Sequence, residues 1–144
     1  MKFESSIVIN RPVEAVWAYV SDYANASVIN PGTIEQRLTS EGPLQKGSTH
    51  LWVGQFLGRR IEANAVVTEF EPNRKWAYKT TSGPFASAGS YSVEPVEGGT
   101  KLTLSGEAEV GGFFKLAEPV MAGMMKRTFE TGLANVKDVL EAQS

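Results

Sequence analysis

The side chains best suited to chemistry in an apolar site are aromatic residues with polar atoms, on the stretches KWAYKTT and AGSYSVE. Alternation along the first stretch places Trp76 and Tyr78 opposite the lysines, so both rings are predicted to face inward. Tyr91 is predicted to face inward for the same reason. A phenol can donate a hydrogen bond or handle a proton, and a few such groups among apolar ones are typical of a small-molecule pocket. The alternative is that all three rings only pack a core.

His50 is the only histidine, and it shares strand parity with Trp52. Leu51 and Val53 have the opposite parity, so alternation leaves open which pair faces inward. A lone histidine is more often at the surface or hydrogen-bonded than catalytic. The chain has no cysteine and no G-x-S-x-G motif, so no metal site and no nucleophile are expected, and no catalytic residue is assigned.

Further candidates for ligand contact lie in a turn and in the C-terminal region. The turn at 83–85 is predicted to form the rim of a pocket with Phe85 over its entrance, although a plain connection fits equally well. Methionines cluster at Met121, Met124 and Met125, where they would adapt to ligands of varied shape or simply fill a core. Phe113 shares an apolar side with Met124, and residues 111–119 are the second candidate for a gate.

The elements that must position these side chains follow from periodicity. A period of two predicts seven strands, and Val16, Trp17 and Val20 after Pro12 predict a helix that packs on them. From residue 111 the period is helical, and Pro119 predicts a short helix, a break, and a long helix to about residue 141. The predicted strands span 2–10, 33–40, 48–57, 60–71, 75–81, 87–94 and 101–110.

Short turns between the strands predict antiparallel neighbours. A twisted antiparallel sheet curls, and the long amphipathic helix is the element able to cover its concave face. Glycines within the strands mark bends or leave room for bulky neighbours. They are Gly54, Gly89 and Gly106.

The 144 residues fit one domain, 1–144, with ordinary soluble composition. A formal charge of −2 without a basic cluster predicts no nucleic-acid partner. The N-terminus lacks a signal-peptide pattern and no apolar run reaches bilayer length, so we expect a cytoplasmic protein without membrane insertion, as a monomer or homodimer.

Four segments carry a resemblance to a known family: RPVEAVWAYVSDYAN, FLGRRIEANAVVTEFEPNRKWAYKTTSGPF, SYSVEPVEGGTKLTLSGEAEV and LANVKDVLE. The chain resembles the START-like helix-grip (SRPBCC) superfamily, in its polyketide cyclase/dehydrase-type branch of small bacterial proteins. The resemblance implies an α+β helix-grip fold, in which a curved seven-stranded antiparallel sheet surrounds a long C-terminal helix and short helices follow strand one. It also implies a deep apolar cavity.

The ligand implied by the resemblance is a hydrophobic small molecule, polyketide-, lipid- or quinone-like, and no cofactor is expected. Two alternatives remain beside simple binding. One is a cyclase or dehydratase that uses the same cavity, with a tyrosine or His50 handling a proton. The other is a protein-interaction module, which would need an exposed apolar patch.

Overall fold

The computed structural model describes residues 1–56, 58–109 and 116–143. Within them the strands are β1 (Lys2–Ile9), β2 (Thr33–Leu38), β3 (Thr49–Phe56), β4 (Arg59–Glu71), β5 (Lys75–Ser82), β6 (Ser87–Val96) and β7 (Gly99–Ala108). The helices are α1 (Val13–Val20), α2 (Ala26–Ile29) and α3 (Glu118–Ala142), with a 3₁₀ turn at Tyr23–Asn25. The predicted α+β order, with short helices after the first strand and a long helix at the end, is confirmed.

The seven strands form one antiparallel sheet in the order β1-β7-β6-β5-β4-β3-β2. Six strands follow one another as hairpins, and β1 closes the series by pairing with β7, as in Ile7 opposite Leu102. The register shifts once between β2 and β3 and twice between β4 and β5. Such irregularities increase local twist, and here they accompany the curling of the sheet into a half-barrel.

The turns behave as their residues predict. Asn73 has φ 62° in the β4–β5 turn, a left-handed conformation that asparagine tolerates better than most residues. Gly83, at φ 137° in the β5–β6 turn, has a backbone that L side chains rarely adopt.

The core fills one end of the half-barrel. Val16, Trp17 and Val20 of α1 are buried there, which confirms their predicted packing role. Trp17 meets Phe70 of β4 edge to face at 5.7 Å between ring centroids. The sheet, α2 and α3 supply the other buried members of this core: Ile9, Ile29, Val67, Trp76, Val93, Leu102, Leu104, Leu133, Val136 and Leu140.

The C-terminal half of α3 is tied to β1 and to the residues that follow it. Lys137 Nζ donates to the carbonyl oxygen of Val8 at 2.8 Å, and Arg11 donates to the carbonyl oxygen of Leu140 at 2.8 Å. The backbone N–H of Asn10 donates to Glu141 Oε2 at 2.9 Å. These bonds fix one half of α3 on the sheet, so the position of its other half follows from the helix axis.

Pro119 lies in the first turn of α3, where its missing N–H costs nothing, and the long helix begins at Glu118. The short helix predicted before it falls mainly on residues 110–115, which lie outside the described residues. Strand bounds differ from prediction by one or two residues at several ends. None of the helices in the described part of the chain is long and apolar enough to cross a bilayer.

Candidate functional site

A cavity of about 390 Å³ lies between the concave face of the sheet and the N-terminal half of α3. Pockets for small organic molecules typically start near 300 Å³, so this volume suits a ligand of two to four fused rings or a short chain. Its described lining includes Met1, Phe3, Asn30, Gly32, His50, Trp52, Ala63, Ala65, Tyr78, Thr80, Pro84, Phe85, Tyr91, Gly106, Glu107, Met121, Met124, Met125, Thr128 and Phe129.

Most residues predicted to contact a ligand lie in this wall. They are Trp52, Tyr78, Phe85, Tyr91, Met121, Met124 and Met125, and their role in ligand contact remains a prediction. Trp76 faces inward as predicted but belongs to the core, with 1% of its surface exposed. It stacks on Tyr91 at 4.6 Å and supports the wall from behind. Phe113 lies outside the described residues.

His50 and Trp52 both face the cavity, which answers the question that parity left open. His50 is buried, with 1% exposed, so a surface position is excluded and the hydrogen-bonded alternative is correct. Its Nδ1 lies 2.7 Å from the hydroxyl of Tyr23. Burial lowers the pKa of His50 to about 4, so the ring is neutral near pH 7.

The Tyr23–His50 pair fixes which nitrogen carries the proton. The Tyr23 hydroxyl makes this one hydrogen bond among the described residues, and a half-buried phenol proton without a partner would cost about 1–3 kcal/mol. Burial also raises the pKa of Tyr23, so the phenol keeps its proton. Tyr23 therefore donates to Nδ1, and the neutral ring of His50 carries its own proton on Nε2, the nitrogen left for the cavity.

The hydroxyls of Tyr78 and Tyr91 form no hydrogen bond with any described residue. Among the described residues, Trp76 Nε1 is the one fully buried side-chain nitrogen or oxygen that lacks a hydrogen-bond partner. Since the hydroxyls of Tyr78 and Tyr91 also lack a partner, they are not fully buried, and both border open space. Burial raises the pKa of Tyr78, and burial together with the nearby Tyr78 and Tyr23 raises the pKa of Tyr91. Both groups are protonated donors at neutral pH.

Three glycines form the floor beneath aromatic rings. A Cβ at any of them would come within 3.0 Å of ring atoms, far closer than side chains pack, so these glycines leave room for bulky neighbours, the second of the two roles predicted for them. The pairs are Gly54 under Trp52, Gly89 under Tyr78, and Gly106 under Phe3 with Phe129 beside it.

Hydrogen bonds hold two parts of the rim. Trp52 Nε1 donates to Thr33 Oγ1 at 2.8 Å, which ties the ring to the start of β2. The backbone N–H of Ser87 donates to Thr80 Oγ1 at 2.9 Å, which closes the base of the turn at 83–85. Pro84 and Phe85 of this turn line the cavity, in agreement with a rim position.

Sequence reasoning missed several lining residues. Alternation puts Phe3 on one face of β1, but only the β1–β7 pairing brings it across Gly106 to Phe129, with 5.3 Å between ring centroids. Phe129 follows Met125 by four positions on α3, so helical spacing could have identified it. Alternation also puts Thr80 on the correct face without indicating a role, and no pattern singles out Thr128.

Charge is nearly absent from the cavity. No lysine or arginine occurs among the described lining residues. The carboxylate there, Glu107, is exposed, and the amino group of Met1 contacts Glu118 at 3.5 Å. Across residues 1–56, 58–109 and 116–143, no group of three or more His, Cys, Asp or Glu is placed to hold a metal ion.

A model of the family described as polyketide cyclase/dehydrase and lipid transport matches residues 1–141. The chain belongs to this family. The matched residues include all described strands and all of α3 except Ala142.

Solved structures share the fold at low sequence identity. A protein of Thermus thermophilus has a TM-score of 0.84 at 16% identity, covering 100% of this chain and 99% of its own. The Zhui aromatase/cyclase of a Streptomyces species has a TM-score of 0.77 at 16% identity over 99% and 94%. A START superfamily protein of Mycobacterium smegmatis reaches 0.78 at 16% over 99% of both chains. No curated protein matches the sequence of this chain.

Proposed function

We propose that this protein binds a hydrophobic small molecule, polyketide-, lipid- or quinone-like, in the cavity beneath the N-terminal half of α3. The observation that carries the proposal is a cavity of about 390 Å³ whose wall is largely aromatic and aliphatic and which the unpaired hydroxyls of Tyr78 and Tyr91 border. A domain that needed only stability would gain from filling this volume, because an empty cavity forfeits packing contacts.

The methionines of α3 suit this role. Met121 is buried, and Met124 and Met125 are half-buried, all three in the cavity wall. Their unbranched, polarisable side chains can repack around ligands of different shape. The rim turn at 83–85 is the proposed entrance, with Phe85 as its movable cover.

Two threonines on α3 give a matched test. Thr128 lines the cavity, whereas Thr131 is exposed on the same helix. Thr128→Trp should fill the cavity and weaken binding of the neutral dye Nile red at least tenfold, measured by fluorescence titration. Thr131→Trp should leave the affinity unchanged. Equal affinity of the two variants, with thermal unfolding showing both folded, would refute binding in this cavity.

Native mass spectrometry of gently purified protein, followed by organic extraction, would supply the ligand class. A reproducible apolar adduct that is absent from Thr128→Trp and present in Thr131→Trp is the expected result. An adduct retained by both variants would place the ligand elsewhere on the protein.

One observation favours catalysis as a second candidate function. Tyr78 and Tyr91 hold protonated, unpaired phenols inside an apolar cavity, where a donor can stabilise negative charge that develops on a carbonyl oxygen during cyclisation. Under this alternative Tyr78→Phe or Tyr91→Phe lowers turnover of a reactive polyketide chain at least tenfold with affinity nearly intact. Loss of affinity in proportion to turnover would favour binding alone.

A further inference from the structure

We infer that the cavity selects an uncharged ligand bearing a carbonyl-type oxygen, to which His50, Tyr78 and Tyr91 present hydrogen-bond donors. The inference rests on the proposed function and specifies the polar group of the ligand. It follows from the position of three donors and from the charge of the wall around them.

The three donors lie on one patch of the sheet. The rings of His50 and Tyr78 are 5.5 Å apart, on β3 and β5 with β4 between them. Tyr78 pairs with Gly89 and its hydroxyl lies over that glycine, where a Cβ would be 2.7 Å away. Gly89 is two residues from Tyr91 on the same face of β6, so the two phenols are diagonal neighbours.

The surroundings leave a proton available for donation on each of the three groups. Tyr23 occupies Nδ1 of His50, which leaves an Nε2–H that can donate but not accept. The phenols of Tyr78 and Tyr91 have no acceptor among the described residues, so their protons are available to a ligand. A carbonyl oxygen has two lone pairs and no hydrogen, so it can accept from two of these groups at once.

The wall discriminates against charged ligands. A carboxylate or phosphate entering it would lose its hydration without meeting a lysine or arginine among the described lining residues. The amino group of Met1 also lines the cavity, but Glu118 already lies 3.5 Å from it. An ammonium group would also lose its hydration and would find only neutral phenol oxygens at this patch. The carboxylate of Glu107 in the described wall is exposed and lies 3.9 Å from Lys2 Nζ. Neutral ligands avoid both costs.

Four naphthalenes substituted at the same ring carbon test the inference: acetylnaphthalene, ethylnaphthalene, naphthoate and naphthylmethylammonium. Their affinities would be measured by titration calorimetry against the full chain. We expect the acetyl compound to bind about tenfold more tightly than the ethyl compound, from two hydrogen bonds of ordinary strength. Naphthoate and naphthylmethylammonium should each bind more weakly than the ethyl compound.

Variants assign the preference to the patch. Tyr78→Phe and Tyr91→Phe should each lower the acetyl-to-ethyl preference at least threefold, because each removes one donor and keeps the ring. Tyr19→Phe is the control, because Tyr19 is a half-buried tyrosine of α1 that does not line the cavity.

The outcomes separate the two proposals. Equal binding of the acetyl and ethyl compounds, or tightest binding of naphthoate, overturns the inference and leaves the binding function standing. Failure of all four compounds and of Nile red to bind overturns the binding function and the inference with it. A preference for acetylnaphthalene that survives both tyrosine variants also overturns the inference.

Discussion

Two glycines in α3 provide a sharp test of how this helix packs. Gly132 is buried against α2, and a Cβ there would fall within 3.0 Å of both the carbonyl oxygen and the carbonyl carbon of Ile29. Gly123, nine positions earlier, has no atom within 4 Å of the same added carbon. The same substitution should therefore have opposite effects at the two positions.

The magnitudes follow from these surroundings. Replacing glycine by alanine inside a helix stabilises it by roughly 0.5–1 kcal/mol, which Gly123→Ala should deliver in full. At Gly132 the same gain is opposed by a collision with backbone atoms, which cannot rotate away as a side chain can. Overpacking of this kind costs about 1–3 kcal/mol, so Gly132→Ala should be destabilised by about 1–2 kcal/mol net.

Urea unfolding followed by circular dichroism would measure both free energies of unfolding, with the slope m checked for constancy. The α2 region leads directly into Asn30 and Gly32, which border the cavity, so Gly132→Ala should also weaken Nile red binding. A Gly132→Ala variant as stable as Gly123→Ala would refute the close contact between α2 and α3.

Three further predictions concern buried groups. Burial lowers the pKa of His50 from 6.5 to about 4, so the unfolded chain binds this proton more tightly and stability falls as pH drops below 6.5, by about 2 kcal/mol at about pH 5. Thr100→Val should cost about 1–2 kcal/mol in urea unfolding, because the fully buried hydroxyl donates to the carbonyl oxygen of Arg11 at 2.7 Å. Gly106→Ala should displace the ring of Phe3 and weaken Nile red binding at least threefold.

Matched variants isolate each effect. His50→Gln lacks the titrating group, so its free energy of unfolding should fall less between pH 7 and pH 5 than that of the unsubstituted protein. The same dependence of this free energy on pH in both proteins would contradict a buried neutral histidine. Thr103→Val, at an exposed hydroxyl pair with Ser6, should cost less than Thr100→Val. Gly123→Ala is the control for Gly106→Ala, because an added Cβ at Gly123 has open space around it. Gly98 also has open space but lies in a turn with φ 89°, so a substitution there would strain the backbone.

Alternation predicted the inward face of β5 because its two faces differ strongly. Lysines occupy one side and aromatic rings the other, so Trp76 and Tyr78 are placed correctly. The same reasoning failed for β3, where both faces carry buried side chains. His50 and Val53 have opposite parity, yet each is 1% exposed. On such a strand, a period of two in hydrophobicity does not distinguish the face that lines the cavity from the opposite face.

Alternation also does not show whether an inward-facing residue lies at the core end or at the cavity end of its strand. Trp76 and Tyr78 share a face two residues apart, but the first belongs to the core and the second to the cavity. The boundary between them depends on which end of the sheet α1 covers, and that is a contact between residues far apart in sequence. Trp17 of α1 reaches Phe70, at the same end of the sheet as its partner Trp76.

The cavity persists because large side chains fill only one end of the half-barrel. At the core end, α1 and the hydrogen-bonded half of α3 bring large aliphatic side chains together, including Leu133 and Leu140. At the other end, three glycines let aromatic rings lie flat across the sheet, as Tyr78 lies over Gly89. These rings line the floor, and the three glycine positions contribute no side chain that would fill the space above it. Because the hydrogen-bonded half of α3 sets the direction of the helix axis, the N-terminal half lies at a distance from the sheet. The space between that half and the sheet remains for a ligand.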